Sequence, residues 1–505
     1  MMANTNLYQS LNLIVPEIVL SVSLIVLVLA DLIFHKDKKI IPYIALAAIL
    51  ITGYFVLNQF GNFGTAFLTP SAVKNNFGMV AVDSFGIFFK MIVLVSSLFI
   101  VFFSFGSGEI IKVKDRLGEY YALIFGMILG MFLMISATDL ILIYLSMELM
   151  SLSSYVLSGF TKLRERNSEA ALKYLLYGAV SSGLMLFGIS LIYGLTGTTN
   201  LYLINVLIQD PHVNLFTLAF ASILIFAGIG YKISSAPFHF WTPDVYEGAP
   251  ITITAFLSVA SKAAGFALLI RFIKTTFVSY VDPLGMWQLI NVFDWKSLLI
   301  GISILTMTLG NFSALWQNNM KRMLAYSSIA HAGYLLLGLV VLSNQGLLAI
   351  LIYFSVYLIM NLGAFLIVML IANKTGSEDI HDYNGLGHTS PFLGISLAVF
   401  LVSLTGLPPT AGFIGKLYLF IALVDAKMIV VAVIALLNTV VSLYYYIRVL
   451  KHMFLTKPEK ETQTIIASVP NKILVSVLVV AVFVFGIYFG PLVDAAKSCL
   501  MILGL

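Results

Sequence analysis

Fourteen stretches of about twenty mostly apolar residues follow one another along this 505-residue chain, and no other feature restricts its fold so tightly. A hydrocarbon layer about 30 Å thick is crossed by about 20 apolar residues in a helix. Inside it a backbone must satisfy its own hydrogen bonds, so each stretch reads as a helix. The approximate spans are 12–34, 40–60, 82–105, 118–136, 138–160, 168–195, 212–233, 250–273, 297–315, 323–342, 346–372, 391–421, 427–449 and 473–491. Only 10% of the residues are charged, where a soluble domain carries about 25%. That excludes an ordinary cytosolic protein and a disordered one. No linker is long enough for a soluble lobe. The expectation is an all-α polytopic membrane protein forming a single integral membrane domain.

Lysine and arginine give the orientation. Odd-numbered loops hold 17 of the 28, even-numbered loops and the C-terminal tail hold 6, and five lie inside spans. The imbalance places odd loops in the cytoplasm and both termini on the opposite side. The first span lacks a basic flank and a small-residue cleavage site, so it reads as retained rather than as a cleaved signal peptide. The net charge of +5 follows from these loop lysines and requires no nucleic-acid partner. The lone cysteine, Cys499, holds no iron–sulfur cluster or cysteine-based zinc site. No Rossmann or Walker glycine pattern is present. Redox and nucleotide chemistry are therefore expected in partners.

A charge at the centre of a membrane helix costs about 2.5–3.5 kcal/mol on insertion scales. Glu148, Lys173, Lys232, Lys262 and Lys416 are the costly residues that a proton path would use. Glu148 lies 12 residues before Phe160, about 18 Å deep by helical rise, beyond the reach of a snorkelling carboxylate. Lys262 is as far into its span, among Ser261, Ala263, Ala264 and Gly265. Lys173 starts the span after Glu148, and its stem spans the height difference needed for an ion pair with Glu148. Against that stands snorkelling of Lys173 to the interface. Lys90, Glu17 and Asp31 read as snorkelling or local pairs, with Asp83 the nearest partner for Lys90. Every deep cation is expected to be a lysine, whose proton affinity shifts readily on burial, and none an arginine.

Two spans are interrupted. Pro237 follows Lys232 in KISSAPFHFWTPD, and Gly406, Pro408, Pro409 and Gly412 precede Lys416. Proline removes a donor and clashes with the preceding turn. Broken helices at membrane depth are tolerated inside protein or along a wet cavity, where their ends make ion sites. A simple proline kink is the plainer alternative. The breaks fall in the seventh and twelfth spans, and an odd offset of five reverses a helix. Spans 4–8 and 9–13 therefore read as inverted repeats, giving units at 12–105 (three helices), 118–273, 297–449 and 473–491. On that mapping His331 of the tenth span corresponds to the Glu148 span. His331 and His239 form a second tier: each is either a proton relay or a hydrogen-bonded core histidine. Tyr444, Tyr445 and Tyr446 read as interface or packing residues.

Burial disfavours a charged lysine, and a nearby carboxylate restores the charge. A carboxylate that moves relative to its lysine thus drives a proton onward. The expected order is Glu148 with Lys173 or Lys232 as the controlling pair, Lys262 as central carrier and Lys416 as gate to the far side.

The run from Lys232 through Ser234-Ser235-Ala236-Pro237-Phe238-His239-Phe240-Trp241-Thr242-Pro243-Asp244-Val245-Tyr246-Glu247-Gly248 to Pro250 closely resembles subunit N of NADH–quinone oxidoreductase (respiratory complex I). Thr254–Lys262 and Gly406–Lys416 extend the resemblance, which covers nearly the whole chain. It implies a proton channel in a membrane arm, driven by NADH-to-quinone electron transfer elsewhere, with Glu148, Lys173, Lys232, Lys262 and Lys416 at family positions. It implies no cofactor in this chain: NADH, flavin, iron–sulfur clusters and quinone belong to other subunits. K-type and M-type membrane subunits are the implied neighbours, and a bacterial inner membrane the implied location. A stand-alone or Mrp-like sodium/proton antiporter is the alternative, and a scaffold holding quinone or lipid a third reading.

Overall fold

The computed structural model describes residues 2–34, 38–68, 78–161, 165–290, 293–457 and 464–503, with side chains from residue 7. Thirteen helices are long and apolar enough to cross a bilayer, and fourteen if the bent pair Ile380–Thr389 and Pro391–Thr405 counts as one span. They are Val15–Ile33, Lys38–Leu57, Ser84–Gly106, Lys114–Ser136, Leu140–Ser158, Glu165–Thr196, Leu215–Ile233, Ile251–Phe277, Trp295–Ala314, Met320–Val340, Asn344–Thr375, Ile429–Phe454 and Val469–Ile487. The remaining span is built from Pro391–Thr405 and Ala411–Asp425. At 15 residues each, neither piece reaches across about 30 Å of hydrocarbon.

Helix starts follow from polar caps. Asp83, Asp139, Asn214, Asp294 and Ser343 each accept a backbone N–H at the start of the third, fifth, seventh, ninth and eleventh spans. These are the orphan donors that every helix N-terminus must place. Loops of one parity bond to each other. Val80 pairs with Ala137, Asp139 with Asn200 and Met286 with Ser343 on the even-loop face, while Asn319 pairs with Asp379 on the odd-loop face. Two antiparallel hairpins, β1 (Gly64–Leu68) with β2 (Gly78–Val82) and β3 (Val278–Val281) with β4 (Trp287–Leu289), also stand on the even-loop face. The pattern of apolar spans carried no sign of them. Of the basic residues used for orientation, Lys36, Lys74, Lys162, Arg164 and Lys460 lie outside the described residues.

The eighth, tenth and eleventh spans are almost wholly enclosed, whereas the first, sixth and fourteenth show apolar sides outward. The protein's axis is therefore made by the helices that carry Lys262 and His331. The eighth span also extends to Phe277, past the expected end at 273, so Arg271 and Lys274, which the orientation tally counted among the six even-loop cations, lie inside it and are buried. Lys321, likewise counted as a loop residue, is buried at the start of the tenth span, donating to Ala249 O at 2.7 Å and to Glu378. Arg271 also overturns the expectation that every deep cation is a lysine. It is fully enclosed because Asp83 binds it through two bonds of 2.7 and 2.8 Å and Ile135 O accepts from its Nε. With Asp83 so engaged, Lys90 pairs with Glu17 at 2.6 Å inside the protein rather than snorkelling out.

Candidate proton path

Each broken helix ends in the same backbone device. The seventh span stops at Ile233, Ser234 takes a left-handed φ of 61°, and Ser235 N donates to Gly230 O. The twelfth stops at Thr405, Gly406 takes φ 87°, and Leu407 N donates to Val402 O. Both are six-to-one closures that use up the last carbonyls of a helix. The first helix is nearly full length at 19 residues, so its break lies towards the odd-loop face rather than at mid-span. The second divides its span into equal pieces. The groups freed by the first break find partners in the protein: Ala236 N donates to Thr306 Oγ1, and Trp241 Nε1 to Tyr231 O.

Lys232, one residue before the first break, is buried and donates to Ser151 Oγ at 2.7 Å. Its amine also lies 5.6 Å from the Tyr174 ring centre. Ser151 follows Glu148 by three residues, nearly one turn of the same helix. Glu148 has no cation within ion-pair distance among the described residues, and its link to Lys232 runs through Ser151 of its own helix. It is half-buried and shares its side of the helix with Leu145, Leu152 and Val156, all exposed.

The expected ion pair between Glu148 and Lys173 is not formed. Lys173 turns towards the odd-loop face, where Glu169 and Asp244 each lie 2.7 Å from its amine. Asp244 belongs to Trp241–Gly248, the short helix after the break. It also accepts from Arg322 at 2.6 Å, and Glu247 accepts from Arg322 and Arg166. The Lys173 side chain is 38% exposed, and two carboxylates near water hold it better than one deeper carboxylate would.

Lys262 is buried and donates to Ser328 O at 2.8 Å and Ser328 Oγ at 3.0 Å. A π-turn, Leu257–Ser261, immediately precedes it, a local widening that recurs at functional positions in helices. Asn361 on the eleventh span donates to Ser258 within that turn at 2.6 Å. Gly265 lets the seventh and eighth spans close up, since a Cβ there would come within 2.7 Å of Ile233 Cγ2 and 3.7 Å of Lys232 Cβ.

From Ser328 the polar chain continues along the tenth span. His331, three residues on, contacts Tyr353 Oη through Nδ1 at 2.7 Å and Tyr446 Oη through Nε2 at 3.5 Å. Its ring centre is also 6.1 Å from that of Tyr334. Lys416 donates to Thr405 O, the last residue before the second break, at 2.7 Å and to Thr439 Oγ1 at 3.4 Å. Its amine sits 4.6 Å from the ring centre of Tyr334, whose hydroxyl bonds Thr439. Tyr446, read from sequence as packing, instead joins Ser327 to His331. Tyr444 does face outward. His239 is buried in the mouth of the first break and stacks on Phe240, and its Nδ1 has no partner among the described residues.

Sequence reasoning missed Ser151, Ser328, Thr439 and Tyr446 as connecting groups. Serine and threonine one turn from a buried charge are the usable signal, but the chain has too many membrane serines for that alone to pick these out.

Residues 137–442 match the transmembrane family described as NADH:quinone oxidoreductase/Mrp antiporter. NADH-quinone oxidoreductase subunit N 2 of Chloroherpeton thalassium is 49% identical over 97% of this chain and 94% of its own. The subunit N of Chlorobium chlorochromatii is 44% identical over 99% and 96%. A chain of respiratory complex I from Thermus thermophilus superposes with a TM-score of 0.77 at 30% identity, covering 96% of this chain and 99% of that one. A chain of the Mrp complex from Dietzia shares the fold, with a TM-score of 0.81 at 19% identity over 97% of each. With full-length relatives this similar, the chain belongs to the subunit N family of NADH–quinone oxidoreductases.

Proposed function

We propose that this chain is a proton-translocating membrane subunit of NADH–quinone oxidoreductase and that protons follow Glu148, Lys232, Lys262, His331 and Lys416. One observation carries the reading. Lys232, Lys262 and Lys416 are buried within the bundle with no carboxylate partner among the described residues, and each is instead held by hydroxyl or carbonyl groups that lead towards the next titratable side chain. A buried amine so placed loses and regains its proton at small cost, because no fixed ion pair pins it in the charged state. Ser151 couples Lys232 to the Glu148 helix. Ser328 hands Lys262 to the His331 helix. Lys173 belongs to the mouth of the route, in the charged cluster of Asp244 and Arg322, rather than to its interior.

Moving one charge against the membrane potential costs about 2.3 kcal/mol per 100 mV. In this reading NADH oxidation and quinone reduction in other subunits supply it, and flavin, iron–sulfur clusters and quinone are held there. A half-buried carboxylate at membrane depth is costly against lipid, so the Glu148 side of the fifth span is covered by an adjoining membrane subunit, of the K type, with an M-type subunit on the opposite flank. The positive-inside rule sets the odd-loop face in the cytoplasm of a bacterial inner membrane and both termini outside.

The test is NADH-driven proton uptake by vesicles carrying the assembled complex, wild type against Lys262→Ala. The expected result is a complex that still assembles and transfers fewer protons per electron. An unchanged proton-to-electron ratio refutes the path.

A further inference from the structure

On the odd-loop face, away from the lysine path, two clefts run into each other. One, of about 360 Å³, is lined by Asn373, Lys374 and the 464–468 segment; the other, of about 570 Å³, by Tyr43, Phe102, Phe105 and Leu474. Gly106, Ser468 and Asn471 line both. Their order along the membrane normal follows from the helices. The third and eleventh spans end at this face and the second and fourteenth begin there. The polar cleft is therefore at the interface, and the aromatic one reaches down from it into the hydrocarbon.

We propose that this double cleft is a binding site for one anionic phospholipid, with its headgroup at Lys374 and Asn471 and an acyl chain in the slot between the second, third and fourteenth spans. Three observations point there. Among the described residues neither lining contains a carboxylate, Lys374 is the charged side chain at the mouth, and it has no ion-pair partner there. Asn471 is 9% exposed as a residue, lines both clefts and makes no hydrogen bond to another described residue, which leaves its amide free for a headgroup or ester carbonyl. The deeper slot is lined mainly by apolar side chains, and Tyr43 and Ile473 at its edge are exposed. Basic pockets between membrane helices on the cytoplasmic side are a recurring way of holding anionic headgroups, and these volumes lie in the range of ligand sites. The neighbouring cleft makes the contrast, because it sets Glu109 and Glu378 against Lys112 and so lacks an excess of positive charge.

The frame of the site is fixed from behind. Asn373 accepts from Gly108 N at 2.9 Å and donates to Gly106 O at 2.7 Å, tying the end of the third span to the end of the eleventh. A bound lipid would thus bridge the second, third, eleventh and fourteenth spans and hold the peripheral helices against the axis.

The test uses the assembled complex in nanodiscs of mixed phosphatidylglycerol and phosphatidylethanolamine, read by native mass spectrometry and by the density at the cleft. The wild type is expected to show a headgroup beside Lys374, a chain beside Leu474, and a preference for phosphatidylglycerol. Lys374→Gln should lower that preference about fivefold, as expected for one lysine at an anionic surface. Leu474→Trp fills the slot and should release one phospholipid per complex while leaving the subunit composition intact. A protein helix seated in the cleft, an unaltered lipid count in Leu474→Trp, or equal lipid preference in wild type and Lys374→Gln overturns the proposal.

Discussion

Lys232 is joined to the helix of Glu148 through Ser151, at 2.7 Å, and not by an ion pair with Glu148 itself. The carboxylate and the amine influence each other across one helical turn while the amine keeps a neutral partner. Such a pair responds to small movements of Glu148, because the full Coulombic bond is never made and never has to be broken.

Replacing Ser151 by alanine should therefore uncouple Lys232 without disturbing the fold. Hydrogen bonds to charged groups are worth about 1.5–3 kcal/mol, so proton delivery through this half is expected to fall about tenfold or more. Ser151→Thr keeps the hydroxyl and should retain most of the wild-type rate. The measurement is proton uptake per NADH oxidised in reconstituted vesicles. Equal ratios for alanine and wild type would show that Ser151 does not connect the pair.

Lys173→Ala is expected to have a smaller effect than Lys262→Ala. Its two ion pairs lie at a surface mouth, where such pairs contribute about 0–1 kcal/mol, and Arg322 still holds Asp244 at 2.6 Å after Lys173 is gone. Side-by-side assays of proton uptake should leave Lys173→Ala with more than half the wild-type ratio. A loss as deep as that of Lys262→Ala would return Lys173 to the interior of the path.

The spans and their order were legible because a membrane imposes a one-dimensional requirement: enough apolar residues in a row, whatever lies beside them. Lys232, Lys262 and Lys416 were legible for the same reason, since a charge in such a row stands out. The partners were not. Asp83 and Arg271 are 188 positions apart, and only the packing of the third span on the eighth brings them together. Lys173 looked aimed at Glu148 from helical rise alone, and the short helix that brings in Asp244 exists only because the chain turns at Ser234. The hairpins β1–β2 and β3–β4 sit in loops, where apolar periodicity is too short to register.

Asp83 and Arg271 should govern assembly rather than pumping. Both are fully enclosed, and breaking a buried pair by removing one member costs about 3–5 kcal/mol because the survivor is left charged and alone. Asp83→Ala is expected to lower the yield and thermal midpoint of the complex sharply. Asp83→Ala combined with Arg271→Leu removes both charges and should recover much of the loss. Whatever complex does assemble should pump at the normal ratio. A double variant no better than the single one would mean that the pair acts through more than its charge.

The link between Lys262 of the eighth span and Lys416 of the twelfth is open to the most selective change. Tyr446 Oη lies 2.5 Å from Ser327 Oγ and 3.5 Å from His331 Nε2. Tyr446→Phe keeps the ring that packs beside Tyr445 at 4.4 Å between centroids and removes only the hydroxyl. If His331 passes protons between Lys262 and Lys416, that deletion should lower proton uptake per electron while subunit composition and thermal midpoint stay close to wild type, and His331→Phe should lower it further. If His331 is only a core histidine, the order is reversed. Tyr353 still holds its Nδ1 at 2.7 Å, so Tyr446→Phe would leave pumping intact, and His331→Phe would instead destabilise the tenth span by stranding the Tyr353 hydroxyl. Measuring stability and proton ratio on the same two preparations separates the roles, because a relay moves the ratio first and a packing residue moves the midpoint first.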